Sequence, residues 1–381
     1  MDLENKNNKN KNKQIIPVFK PFHNGQEIEA VKQVIESGWI GLGPKVKEFE
    51  DSFSTYINAP YCVGLNSGTA ALDMALKLLG VKEGDEVIVP TITFVSTAHV
   101  IVYNKATPIF ADCDTVTLNI CLEDLARKIT PRTKAVIVVH YGGRPVDLDR
   151  VKEIVGEIPI VEDCAHAAGA YYKGKHVGTA NIGCFSFHAV KNLAMGEGGA
   201  ITLNDEEMMK RAKKLRWLGI DKGTWDRVEG DRSYWWEYNV GEIGLKSHLN
   251  DIHAAIGLVQ LNKLEFSNTI RKMIVDYYRG ELGDLLEFPL PDEVDYISSW
   301  HLCSVKAIER DNLSVFLKDR GICTGVHFKP IHLYECYGKQ GGLPKAEEQF
   351  KKIITLPLYP GLLEEDLERI VLEVKSFYNL I

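Results

Sequence analysis

From Gly68 onward the apolar positions follow two rhythms. Leu72, Ala75, Leu76 and Leu79 recur at i, i+3, i+4 and i+7, the spacing that gathers side chains on one face of an α-helix. Gly80, directly after them, is the residue that most readily ends a helix. Short unbroken apolar runs then appear: Val87 to Val89 before Pro90, Ala135 to Val139, and Ile158 to Val161 before Glu162 and Asp163. Runs of this length predict strands buried on both faces. Leu122 to Ile129 reads as a helix between two of them. The alternation predicts an α/β domain with a large, mostly parallel sheet. Ligands of such sheets collect beyond the carboxyl ends of the strands, where Thr91, His140 and Asp163 fall.

After about Leu261 the texture changes. Thr269 to Arg279 and Asp311 to Arg320 predict helices, each followed by a glycine, Gly280 and Gly321, as stop signals. Trp300 to Val305 and Thr324 to Phe328 read as short strands. The expected organisation is a polar tail over 1–14, a large α/β domain over 15–264 and a smaller α+β domain over 265–381, without internal repeats. The tail alternates lysine and asparagine, a composition that predicts disorder.

Composition narrows the class without naming a chemistry. With 45% hydrophobic and 25% charged residues, the chain is an ordinary globular protein. A net charge of −7 argues against a dedicated nucleic-acid binder. The tail has neither the apolar core of a signal peptide nor the arginines of a transit peptide, and no apolar run is long enough to cross a bilayer. A cytoplasmic protein without membrane or nucleic-acid partners is expected. Eight cysteines contain no CxxC pair, so neither a disulfide framework nor a metal site is expected.

The chemistry concentrates in four places. Phe185 to Gly199 reads FSFHAVKNLAMGEGG, which sets Lys191 between a strand-like run and a glycine-rich turn. A lysine used covalently must lose its proton near neutral pH, and burial lowers its pKa. Asp163 ends the run Ile160 to Asp163; a buried carboxylate needs a cationic partner to stay ionised, and a protonated pyridine nitrogen is one. As a bare residue, Asp163 is equally a helix cap. Asn66-Ser67-Gly68-Thr69 opens the first helix, and amides at a helix start form a phosphate site. Phe94, past Pro90, offers a ring for stacking.

In that chain order these features resemble the fold-type I pyridoxal-phosphate enzymes, and the FSFH..KN....EGG string is similar to that of the DegT family of sugar aminotransferases. The resemblance runs from about Ile15 to the C-terminus through SGWIGLGP (37–44), GDEVIVPTITFVST (84–97), TPRTKAVIVVHYGG (130–143) and LPLYPGL (356–362). EDCAHAAG and YYKGKHVG look most like the branch that forms UDP-4-amino-4-deoxy-L-arabinose.

The resemblance implies a cofactor, pyridoxal 5'-phosphate, carried by Lys191 as the catalytic residue, with Asp163 at its ring nitrogen and Phe94 on its ring. It implies that Gly68, Thr69 and Ser186 bind the phosphate. His166 stands where glutamine is common. Gly244 to Ile252 matches a family stretch that reaches into the neighbouring subunit, with Lys246 in place of its asparagine, which implies a homodimer with shared sites. The expected substrates are glutamate, giving 2-oxoglutarate, and a keto sugar, most specifically a nucleotide-linked 4-keto sugar. Trp39, His327, His332 and the aromatic run Trp225 to Tyr238 are the candidate substrate contacts. Other acceptors are a 3-keto sugar, a cyclitol or a small phosphorylated ketone. A dehydratase branch of the family replaces the lysine with histidine, so Lys191 speaks against it.

Overall fold

The computed structural model describes residues 15–221, 238–338 and 341–380. Its central sheet has seven strands: β1 (Tyr61–Leu65), β2 (Glu86–Pro90), β3 (Thr107–Ala111), β4 (Thr133–Val139), β5 (Ile160–Asp163), β6 (Ile182–Ser186) and β7 (Gly199–Leu203). Their order is β1-β7-β6-β5-β4-β2-β3. All neighbours from β3 to β6 are parallel, and β7 runs antiparallel to both β6 and β1. This is the expected α/β architecture.

The apolar runs make this sheet because each strand is covered twice. Val87, Val89, Ile137 and Val161 enter one core with Leu72 and Leu76 of the helix Gly68–Leu78. Ile88, Val136, Val138 and Phe185 enter a second core on the other face, with Phe49 and Phe53. Neighbours along a strand point to opposite faces, so an unbroken apolar run feeds both cores. Gly80 (φ 69°) closes the helix Gly68–Leu78, and the expected helix at Leu122 is found over Leu122–Lys128.

The C-terminal part differs from the expectation in three respects. A single helix, Asp251–Leu282, runs through position 265 and past Gly280. Leu282 is fully buried with Ile274, Val275 and Tyr278 in a third core, and that burial carries the helix beyond a glycine whose Cβ position is open space. Thr324 to Phe328 forms no strand; only Gly325 pairs, with Thr355. The chain also crosses between the parts: Ile16 joins the third core, while Ile331, Leu343 and Ala346 return to the first. Cys303–Lys306 pairs antiparallel with Ile353–Leu356, and Gly321 (φ 75°) follows the helix Arg310–Asp319.

Candidate active site

The carboxyl ends of β5 and β6 and the helix start after β1 open onto one cavity of about 300 Å³. At the helix start, Ser67 Oγ accepts from the Ala70 N–H at 3.1 Å. The amides of Gly68 and Thr69 belong to the first turn, which has no carbonyl partners within the helix. A Cβ on Gly68 would lie 2.8 Å from the Cβ of Ser186; glycine is what lets this turn close on the end of β6. Positive helix end, amides and the Ser186 hydroxyl together fit a phosphate group.

Asp163 ends β5 and is buried. Its Oδ2 accepts from Thr97 Oγ1 at 2.9 Å and its Oδ1 from the Ala165 N–H at 3.1 Å. Thr97 Oγ1 also lies 3.0 Å from Thr93 Oγ1. Burial pushes the carboxyl pKa up, while the Ala165 amide, the Thr97 hydroxyl and the Lys191 charge pull it back. The Ala165 bond is the local cap open to the bare residue, yet no helix follows Asp163. One local bond and one from the helix Ser96–Tyr103 therefore fix an anion at the cavity floor.

Lys191 sits on the loop between β6 and β7. That loop is held to itself by bonds from Phe187 N to Gly198 O and from Met195 N to Phe187 O. Burial lowers the Lys191 pKa to about 8, opposed by Asp163. Four imidazoles line the same cavity: His166, His301 and His327 along its wall and exposed His188 at its opening. Burial pushes His166 and His301 well below the usual imidazole range and His327 down to about 4. Those three side chains are thus neutral at physiological pH and add no cation beside the lysine. The Gly142 N–H points at His166 Nδ1 at 3.4 Å, which places the His166 proton on Nε2.

Eight of the expected residues meet in this cavity: Gly68, Thr69, Phe94, Asp163, His166, Ser186, Lys191 and His327. Phe94 is 56% exposed at its opening, its ring 6.1 Å from Phe328. Three lie elsewhere. Trp39 is half-buried past the helix Gln26–Ser37. His332 is bound through Nδ1 to Thr91 Oγ1 at 2.7 Å, with Nε2 3.2 Å from Glu347 Oε1; it links the helix Pro344–Phe350 to the end of β2. Lys246 holds its ammonium 4.3 Å over the Trp217 ring of its own chain. Of the run Trp225 to Tyr238, residues 225–237 lie outside the described residues. His140, also past a strand, is fully buried, its Nε2 3.0 Å from Glu162 Oε2 and its Nδ1 accepting from the Val146 N–H.

The sequence reading missed Thr97, Asn192 and His301. His301 was signalled by an imidazole set in the apolar run Trp300-His301-Leu302-Cys303. Nothing local marks Thr97 among other small polar residues.

Comparison with known proteins points to one family. A model of the DegT/DnrJ/EryC1/StrS aminotransferase family matches residues 22–375. The aminotransferase TlmJ from Streptoalloteichus hindustanus superposes with a TM-score of 0.90 at 37% identity, covering 96% of this chain and 100% of that one. The sugar aminotransferase CalS13 from Micromonospora echinospora gives 0.87 at 32%, covering 95% and 100%. Spr1654 from Streptococcus pneumoniae, solved in a PLP form, gives 0.89 at 34%, covering 95% and 98%. No helix among the described residues is long and apolar enough to cross a membrane.

Proposed function

Because the chain belongs to the DegT/DnrJ/EryC1/StrS aminotransferase family, a family of pyridoxal-phosphate enzymes that aminate sugars, we propose that it moves an amino group from glutamate to a nucleotide-linked 4-keto sugar. One observation carries the reading: Lys191 and Asp163 face one cavity whose rim is a helix start at Gly68 and Thr69. The Gly68 and Thr69 amides with the Ser186 hydroxyl would hold the phosphate, Phe94 would flank the ring, and His166 would offer its Nε2 proton to the ring oxygen. Asp163 would pair with the ring nitrogen, and a proton held there would keep its carboxylate ionised.

When bound, pyridoxal phosphate supplies the electron sink that makes the carbon next to nitrogen acidic. Lys191 does the proton work. With a pKa near 8, its Nζ takes a proton from the α-carbon of glutamate in one half-reaction. In the other it delivers one to the former ketone carbon, a task suited to a base whose pKa lies near the working pH. His327, in the same cavity lining with Nδ1 2.8 Å from Thr355 Oγ1, contacts the alternating substrates. The active unit is a homodimer in the cytoplasm, and Lys246 turns from Trp217 toward the phosphate bound in the partner subunit, as a point charge.

The deciding experiment supplies glutamate with matched sets of 4-keto and 3-keto sugar nucleotides, free keto sugars and cyclitols. The 4-keto nucleotides are expected to turn over fastest. Turnover confined to ketones without a nucleotide overturns the substrate assignment.

A further inference from the structure

Asn192 follows Lys191 directly and is buried. Its Nδ2 donates to Asn268 Oδ1 at 2.7 Å and to Ser299 O at 2.6 Å, and its Oδ1 accepts from His301 Nδ1 at 2.9 Å. An amide has two N–H donors and an oxygen that only accepts, so both protons are committed and His301 carries its own proton on Nδ1. The His301 ring, with Nε2 left as a lone pair, forms cavity wall beside Phe19 (centroids 5.6 Å, 4° between planes) and His166 (4.5 Å).

Two partners of Asn192 are bonded in turn to the backbone that follows Asp163. Asn268 sits in the helix Asp251–Leu282 and donates from its own Nδ2 to Ala168 O at 3.0 Å. Ser299 Oγ donates to His166 O at 2.7 Å. A single buried amide thus joins the backbone carrying Lys191 to the turn that follows Asp163. The backbone bonds of the 187–198 loop hold it to itself and do not set its distance from that turn. Deleting the amide leaves Asn268 Oδ1, Ser299 O and His301 Nδ1 without this partner in a buried place, where an unmade hydrogen bond is costly.

We propose that Asn192 is a positioning residue: its amide fixes the lysine-bearing loop against the Asp163–His166 turn and so keeps Lys191 inside the cavity. This rests on the reading of Lys191 given above. Asp163, His166, His301 and His327 face Lys191, and exposed His188 and Glu197 line the same opening; none is altered by substitution at 192.

Competitive acetylation of cofactor-free protein with acetic anhydride across pH, read at the Lys191 peptide against exposed Lys134, tests it without turnover. The unaltered protein should label with a midpoint near 8. In Asn192→Ala the lysine leaves its buried place and the midpoint rises; a rise of one unit reads as about a fivefold loss of Lys191 labelling at pH 8. An unchanged midpoint in a variant with native near-ultraviolet dichroism overturns the proposal. If Asn192→Ala does not fold, Asn192→Leu, which fills nearly the same space and removes every bond of the amide, takes its place: a raised midpoint supports the anchor and an unchanged one overturns it. Borohydride trapping of pyridoxal phosphate in the unaltered protein separates the two claims, since a label elsewhere than Lys191 defeats the earlier reading alone.

Discussion

The Thr97 hydroxyl donates to Asp163 Oδ2 at 2.9 Å, and this bond reaches from the helix after β2 to the end of β5. It holds one carboxylate oxygen while the Ala165 amide holds the other, so the anion has one orientation before any ligand arrives. Both bonds favour the ionised form against the burial that disfavours it. Thr97→Val keeps the shape and removes the donor. The glutamate half-reaction should slow by about tenfold, the worth of roughly 1.4 kcal/mol, with little change in cofactor content. Single-turnover spectroscopy reads both quantities.

Asp163→Asn removes the anion altogether. It should slow proton abstraction from glutamate on the order of 10²-fold or more, and leave binding of a sugar nucleotide nearly unchanged. Stopped-flow rates beside equilibrium titration make the comparison; equal losses in both would contradict the assigned role.

Gly68→Ala should weaken cofactor binding. The new methyl lies 2.8 Å from Ser186 Cβ, so either the helix start or the end of β6 must shift, at a cost of about 1–3 kcal/mol. Fluorescence titration of cofactor-free protein should show at least about a tenfold rise in Kd. An unchanged Kd would mean that the phosphate binds elsewhere.

The lysine also leaves a mark on stability. Its pKa is about 8 in the folded chain and about 10.4 when unfolded. Between these values the unfolded chain binds the extra proton, so this group makes stability rise with pH through that window and costs stability below it. In cofactor-free protein, Lys191→Met should stabilise the fold at pH 7, and so raise Tm, by a free energy on the order of 1 kcal/mol since the side chain still meets solvent in the cavity. The advantage should shrink to nothing near pH 10.5. A constant difference across pH 7 to 10.5 would refute the buried ammonium.

Much of this was legible in the chain because the relevant signals are local. A helix start such as Ser67-Gly68-Thr69 and a strand end such as Glu162-Asp163 are defined by neighbours in sequence. What stayed hidden depends on partners far away. Thr97 reaches Asp163 across 66 positions and Asn192 reaches His301 across 109, and no periodicity encodes such pairs. The long helix was read short because Gly280 is a stop signal that tertiary burial of Leu282 overrides. His332 resembled a substrate contact because its partners, Thr91 and Glu347, are brought to it only by the fold.

Subunit sharing is tested by mixing. Lys246 is exposed and rests on Trp217 within one chain. If it completes the site of a partner, Lys246→Ala alone is impaired. Mixed dimers with Lys191→Ala then contain one site with both lysines and regain activity. Confirmed subunit exchange without recovery removes Lys246 from the site, and a monomer in sedimentation at working concentration removes the dimer.

The central claim is that Lys191 holds the cofactor, and one measurement meets it directly. Protein incubated with pyridoxal phosphate is reduced with borohydride, digested, and searched by mass spectrometry for the phosphopyridoxyl adduct. The account predicts one modified site, Lys191, at close to one per chain, and none on that peptide in Lys191→Ala. A stoichiometric adduct on another lysine, or none on the folded protein, would contradict it.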